Sequence, residues 1–165
     1  MISPKFFVEC LKNNSIDFFA GIPDSLLKHF CAYLKDTVPV QNNVIAANEG
    51  GAMGLAVGYY LATGRIPLVY MQNSGLGNVI NPLLSLVDKE VYNIPMVLLI
   101  GWRGEPGVKD EPQHIKQGKV TLSLLDTMGI KYIVLSPNEA EVKTQLDSGL
   151  TYAKQANEPF AFIVS

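Results

Sequence analysis

The sequence predicts an α/β fold: a six-stranded parallel sheet with helices on both faces. Three observations carry this reading. Short apolar runs alternate along the chain with segments whose apolar residues recur at i, i+3 and i+4. The run from Pro95 to Ile100 is apolar without a break, the pattern of a strand covered on both faces. No internal repeat, low-complexity tract or long linker divides the 165 residues, so a single domain is expected over 1–165.

The elements follow in order. Ser3-Pro4 opens a helix with Phe7, Cys10 and Leu11 on its inner face, and Phe18-Phe19-Ala20 is a strand ending at Gly21. Pro23 stands where a first helical turn begins, followed by Asp24, Ser25 and a stripe of Leu27, Phe30, Cys31 and Leu34. Val44 to Ala47 reads as a short strand, and Glu49 to Ala62 as a helix with Met53, Ala56, Val57, Tyr60 and Leu61 on one face. Pro67 to Met71 is a strand, Gln72 to Asn78 a polar glycine-rich turn, and Asn81 is expected to cap a helix with Pro82 at its first position. After the strand ending at Ile100, residues Gly101 to Ile115 lose periodicity, and a long loop inside a compact domain is usually functional. A helix follows with Thr121, Leu124, Leu125 and Met128 aligned, then a strand from Tyr132 to Leu135. Asn138 and Glu141 fit a capping box for a last helix lined by Val142, Leu146, Gly149, Leu150 and Ala153, and Phe160 to Val164 is the final strand.

Composition excludes several classes. At 48% hydrophobic and 17% charged residues the chain is not disordered. Thirteen Lys and Arg against fifteen Asp and Glu give −2, with no basic excess to neutralise a phosphate backbone, so nucleic acid is not an expected partner. No apolar stretch approaches ~18 residues, so no membrane partner is expected. The start Met1-Ile2-Ser3-Pro4-Lys5 lacks the basic and apolar regions of a signal peptide. Cys10 and Cys31 fall on apolar stripes and read as buried free thiols, and a cytoplasmic location is expected. So sparse a charge implies that part of the surface is covered by another chain or domain.

In open α/β sheets ligands collect at the carboxyl ends of strands. Four segments follow strand ends here: Gly21 to Lys28, Asn48 to Gly54, Gln72 to Asn78, and Trp102 to His114. All are polar or glycine-rich. Glu49, taken alone, is a first-turn acid favoured by the helix dipole. Its neighbours Gly50, Gly51 and Gly54 each weaken a helix by up to ~1 kcal/mol against alanine, a cost that fits close approach of something to the backbone. A carboxyl buried there has its pKa raised and can share a proton with a ligand nitrogen. The spacing Gly75-x-Gly77 lacks the third glycine of a dinucleotide fingerprint, and no Walker motif occurs, so a nucleotide-binding module stays a lesser alternative. His29 reads as structural or surface. His114 lies at the mouth of the sheet and is a candidate catalytic group, set against the plain reading of a solvated loop histidine. Asp24, Ser25 and Lys28 either cap and decorate a helix, or its start receives an anionic group that Ser25 and Lys28 help hold.

These residues carry a resemblance. Gly21-Ile22-Pro23, Asn48-Glu49-Gly50-Gly51-Ala52 with Gly58-Tyr59, and Asn73-Ser74-Gly75-Leu76-Gly77-Asn78 resemble, in order, the pyrimidine-binding domain of thiamine-diphosphate-dependent decarboxylases. The resemblance covers nearly the whole chain. Pro23 to Lys28 and Asp110-Glu111-Pro112-Gln113-His114 are most similar to the phosphonopyruvate decarboxylases, with the sulfopyruvate decarboxylases as near neighbours. The resemblance implies a lyase acting on a three-carbon keto acid with an anionic head, giving phosphonoacetaldehyde and carbon dioxide in phosphonate biosynthesis. It implies thiamine diphosphate and Mg2+ as cofactors. Glu49 matches the glutamate that hydrogen-bonds a ring nitrogen of the aminopyrimidine and favours the tautomer that takes a proton from the thiazolium carbon. Pro23, Asn73, Ser74 and Gly75 match segments lining the pyrimidine end. Gln113 and His114 fall where relatives place polar groups over the reacting carbon, His114 as proton donor or orienter. Gln113 is thereby assigned to the substrate; the assignment of Asp24, Ser25 and Lys28 to the substrate's phosphonate end is a separate hypothesis, not carried by the resemblance.

One departure bears on partners. The family's second half binds magnesium and diphosphate through Gly-Asp-Gly followed by Asn, and no Gly-Asp-Gly occurs in this chain. The expectation is therefore half an active site, inactive alone, completed by a diphosphate-binding domain or subunit in a homo-oligomer, with an excised domain favoured over a natural subunit. A catalytically silent scaffolding domain is the alternative of another class.

Overall fold

The computed structural model describes residues 2–165. Six parallel strands form one sheet in the order β2-β1-β3-β4-β6-β5. They are β1 (Phe19–Gly21), β2 (Asn43–Ile45), β3 (Leu68–Gln72), β4 (Val97–Gly101), β5 (Lys131–Val134) and β6 (Phe160–Val164). The central registers run from Leu68 opposite Val97 to Gln72 opposite Gly101, and from Val97 opposite Phe160 to Gly101 opposite Val164. All five residues of β4 are buried, as expected of an apolar strand in a sheet covered on both sides.

The two-residue alternation of the strands makes two cores. Phe19, Leu68, Tyr70, Leu99 and Phe162 face a layer formed by α1 (Pro4–Asn13), α2 (Lys28–Thr37) and α6 (Glu139–Tyr152). Ala20, Val69, Met71, Leu98, Ile100 and Ile163 face the opposite layer of α3 (Glu49–Thr63), α4 (Leu76–Pro82) and α5 (Pro112–Thr127). The chain leaves β1 through α2 on one face and β3 through α4 on the other, toward opposite edges of the sheet. The order reverses between these neighbours, and such a reversal opens a crevice at the carboxyl ends of the strands.

Several boundaries differ from the sequence reading. Pro23 does not open a helix: the Asp24 carboxylate accepts from Leu26 N–H at 2.8 Å, and this local turn holds the backbone out of the helix until Lys28. Asn81 and Pro82 do not start α4. The helix begins at Leu76, because Leu76, Val79 and Leu83 form the buried stripe; Pro82 closes it, and a wider π turn follows over Leu83–Val87. The long loop is shorter than expected, since Pro112 takes the first position of α5 and puts Gln113 and His114 in its first turn. That turn was hidden in the sequence because Pro112, Gln113, Ile115 and Lys116 are exposed and show no apolar period. Leu61, expected on the inner face of α3, is 62% exposed. Cys10 is buried but Cys31 only partly so, and both are free thiols. Asn138 caps α6 through Ala140 N–H at 3.0 Å, but its own N–H goes to Ser136 Oγ at 3.1 Å instead of Glu141, so the box is half formed.

Gly21, the last residue of β1, leads the chain into the crevice. A Cβ there collides with the Tyr70 carbonyl oxygen and ring on the neighbouring strand. Gly21→Ala is expected to destabilise the fold by about 1–3 kcal/mol, since backbone on one side cannot yield cheaply. Urea unfolding checks this, with a lowered midpoint at unchanged slope as the expected result.

Candidate functional site

The crevice gathers the segments after β1, β2, β3 and β4. Asn48 caps α3 by accepting from Gly51 N–H at 2.8 Å, which places Glu49 as the first helical residue. Glu49 is half-buried, less covered than the sequence suggested. Its Oε2 accepts from Asn78 Nδ2 at 2.7 Å, while Oε1 takes no hydrogen bond among the described residues. The carboxyl leans on Gly75: a Cβ there lies 2.6 Å from Glu49 Cδ, Cγ and Oε1. Glycine at 75 is thus required by the seat of this acid. Gly50 also packs closely, with its Cβ position 3.2 Å from the Asn78 carbonyl. Gly54 and Gly58 differ, for a Cβ at either meets nothing within 4 Å.

Asn73 to Gly75 form a single 3-10 turn at the end of β3. Asn73 is 1% exposed. Its amide donates to the Arg103 carbonyl and to Thr121 Oγ1, both at 2.8 Å, and its Oδ1 accepts from Arg103 N–H at 3.1 Å. Every polar atom of that side chain is therefore satisfied inside the protein. Ser74 is exposed and donates to Gln72 Oε1 at 2.7 Å. Gln72 in turn donates to Asp24 Oδ1 at 2.6 Å, closing a bond across the β1–β3 crevice.

Asp24 is 7% exposed and spends both oxygens internally, on Leu26 and Gln72. Pro23, Ser25 and Lys28 are exposed, and Lys28 has no ion pair or hydrogen bond among the described residues. Ser25 is engaged: Arg103 Nη1 donates to its Oγ at 2.7 Å. Gln113 is exposed and His114 half-buried, and neither side chain is hydrogen-bonded among the described residues. The structure thus brings Glu49, Asn73, Ser74 and Gly75 together at one turn, and Asp24 and Ser25 to its other side. Gln113 and His114 stand at the start of α5.

Arg103 was missed by sequence reasoning. Arg65 and Arg103 are the chain's two arginines, and the signal was an arginine directly behind a central strand end. Asp110 grips it through Oδ2 to Nε at 2.8 Å and Oδ1 to Nη2 at 2.5 Å. Asp110 also accepts from Gly104 N–H and Glu111 N–H, each at 2.7 Å. The loop is further pinned where Trp102 Nε1 donates to the Gly118 carbonyl at 2.8 Å.

The architecture now has relatives. Residues 4–124 match the model of the thiamine pyrophosphate enzyme, N-terminal TPP binding domain. The chain belongs to this family. It is 31% identical to a phosphonopyruvate decarboxylase of Streptomyces viridochromogenes over 99% of this chain and 40% of that protein. It is 38% identical to the sulfopyruvate decarboxylase subunit alpha of Methanococcus maripaludis, over 80% of this chain and 77% of the subunit. A protein described as a thiamin diphosphate-dependent enzyme from Mycobacterium smegmatis shares the fold, with a TM-score of 0.68 at 18% identity, over 99% of this chain and 30% of that one. The chain thus spans about two-fifths of the length of the phosphonopyruvate decarboxylases it matches.

The residues present fit an aminopyrimidine. A carboxyl seated against Gly75, with one oxygen unpaired among the described residues, suits a ring nitrogen as its hydrogen-bond partner. Among the described residues no group of three or more His, Cys, Asp or Glu is arranged to hold a metal ion, and no helix is long and apolar enough to cross a membrane.

The Arg103 hydrogen bonds, helped by the Glu111 and Gly104 N–H groups, hold the Asp110 carboxyl well below the usual carboxylate range. With a depressed folded-state pKa, its contribution to the loop is complete above the ordinary value near ~3.9 and is lost only as pH falls through the depressed one. A carboxyl-carbon NMR titration is expected to find Asp110 still ionised at about pH 3. An ordinary midpoint contradicts the ion pair.

Proposed function

We propose that this chain is the pyrimidine-binding half of a thiamine-diphosphate-dependent 2-keto acid decarboxylase that converts phosphonopyruvate to phosphonoacetaldehyde and carbon dioxide. The observation that carries the reading is the Glu49 carboxyl seated on Gly75, with Oε1 unpaired, in a chain of the TPP-binding family. The bound cofactor supplies the electron sink for loss of carbon dioxide. Glu49 holds the aminopyrimidine by a hydrogen bond to a ring nitrogen and sets its protonation. Ser74 and Gly75 line that ring and Pro23 lies at the rim of the crevice, while Asn73 holds the turn in place. Asp24 positions and does not touch the substrate, because a buried carboxylate offers only acceptors and repels an anion. His114 is the proton donor and Gln113 an orienting donor, both presented by the first turn of α5.

Magnesium and the diphosphate fall to a second domain or subunit. Exposed apolar side chains support such a partner: Ile45 is 64% exposed and Leu61 62%, and Leu55 is also exposed. On α3 a Cβ at Gly54 or Gly58 likewise meets nothing within 4 Å. The chain alone is inactive, and the working enzyme is a cytoplasmic oligomer. A second reading has its own support. The sulfopyruvate decarboxylase subunit alpha is the more identical relative over its matched part, and this chain covers most of it. That reading makes the partner a separate subunit and the anionic head a sulfonate.

The test uses the assembly with its diphosphate-binding half. Glu49→Gln is expected to lower kcat on phosphonopyruvate by at least about 100-fold, the scale of a lost acid–base group. Turnover within about threefold of wild type would favour the silent-domain alternative.

A further inference from the structure

We infer that Arg103, with Ser25, receives the tetrahedral anionic head of the substrate, and that Asp110 is the residue that aims it. This rests on the decarboxylase reading above and names its specificity-determining group. A guanidinium has five N–H donors arranged on two usable edges. Asp110 occupies the side edge, through Nε and Nη2. Nη1 donates to Ser25 Oγ, so three donors are committed and two remain, one on each terminal nitrogen. Both sit on the terminal nitrogens, and the Ser25 hydroxyl is bonded to one of those nitrogens. The Ser25 hydroxyl accepts from Arg103 and keeps its own proton to give. Two uncommitted N–H groups and one O–H in this cluster match in number the three oxygens of a phosphonate or sulfonate.

The group is held rigidly before anything binds. The Arg103 side chain is 21% exposed and that of Asp110 13%. The Arg103 backbone is bonded on both sides by Asn73, and Gly104 and Glu111 N–H groups fix Asp110. An arginine fixed in this way loses little freedom when its remaining donors take an anion. Lys28, exposed and unpaired among the described residues, offers a flexible point charge with no such aim. Placement agrees with the chemistry. The turn that backs Glu49 at Gly75 bonds the Arg103 backbone at Asn73, so both groups hang on one three-residue turn.

The experiment compares phosphonopyruvate, sulfopyruvate and pyruvate on the assembly loaded with thiamine diphosphate and magnesium. Pyruvate lacks the head, so each anionic substrate is scored as its kcat/KM relative to pyruvate. Arg103→Gln is expected to lower that ratio by at least about 30-fold, the scale of hydrogen bonds to a charged group. Arg103→Lys recovers part of it, and Ser25→Ala, at an exposed position, lowers it by about 3–10-fold. The Kd of 3-phosphonopropionate, an anion with no keto group, rises in parallel. The larger wild-type ratio tells phosphonate from sulfonate. If wild type turns over the anionic substrates while both Arg103→Gln and Ser25→Ala leave the ratio and the Kd within about twofold, the inference is overturned and the decarboxylase reading stands. If wild type turns over neither, that reading falls and this inference with it. Should Arg103→Gln fail to fold, Ser25→Ala decides.

Discussion

The Asn73 side chain is the joint on which the crevice depends. It bonds the Arg103 backbone at both carbonyl and N–H and reaches Thr121 on α5, so one buried amide ties β3, the loop after β4 and a helix together. Few residue types fit: only an amide offers donors and an acceptor on so short a stem. Because all its groups are satisfied, the amide is buried without penalty and gives the site a rigid floor. Two residues on, the same turn meets Glu49 at a glycine. The Glu49 side and the loop side of the crevice are therefore set by one short piece of backbone.

The rest of the fold explains why that turn sits where it does. Reversal of chain order between β1 and β3 opens the sheet at their carboxyl ends, and the Asp24–Gln72 hydrogen bond spans the opening. The acids in this region have distinct surroundings. Asp24 is buried and bonded to neutral donors, Asp110 is locked to a guanidinium, and of these three Glu49 keeps an oxygen unpaired among the described residues. Carboxyls so differently placed are suited to different work: two hold parts in position and one is left free to meet a ligand.

The fold was largely legible in the sequence because period is a strong signal for buried elements. The unbroken apolar run of β4 and the stripe of α6 are both fully covered, and both read correctly. Errors fell where local chemistry competes with period. A proline marked a plausible start for α2, but the Asp24 side chain captured the Leu26 N–H, and at α4 a proline permitted at a helix start instead closed one. Glu49 and the 73–75 segment were legible through glycines and resemblance. Arg103 was not, since its role depends on Asp110 seven residues on and on Ser25 seventy-eight residues back. Which atoms of Asp24 and Asn73 are already engaged was equally beyond any linear pattern.

The most direct measurement is amide hydrogen exchange across residues 103–111 in Asn73→Ala, read beside the global stability of the same variant. The account predicts a loss of about 1–3 kcal/mol from the unsatisfied groups, with the Arg103 amide and the loop to Glu111 exchanging much faster than the distant strands β5 and β6. If that loop keeps its protection while Asn73 is gone, the Asp110 contacts alone hold Arg103, and the amide is not the joint of the site.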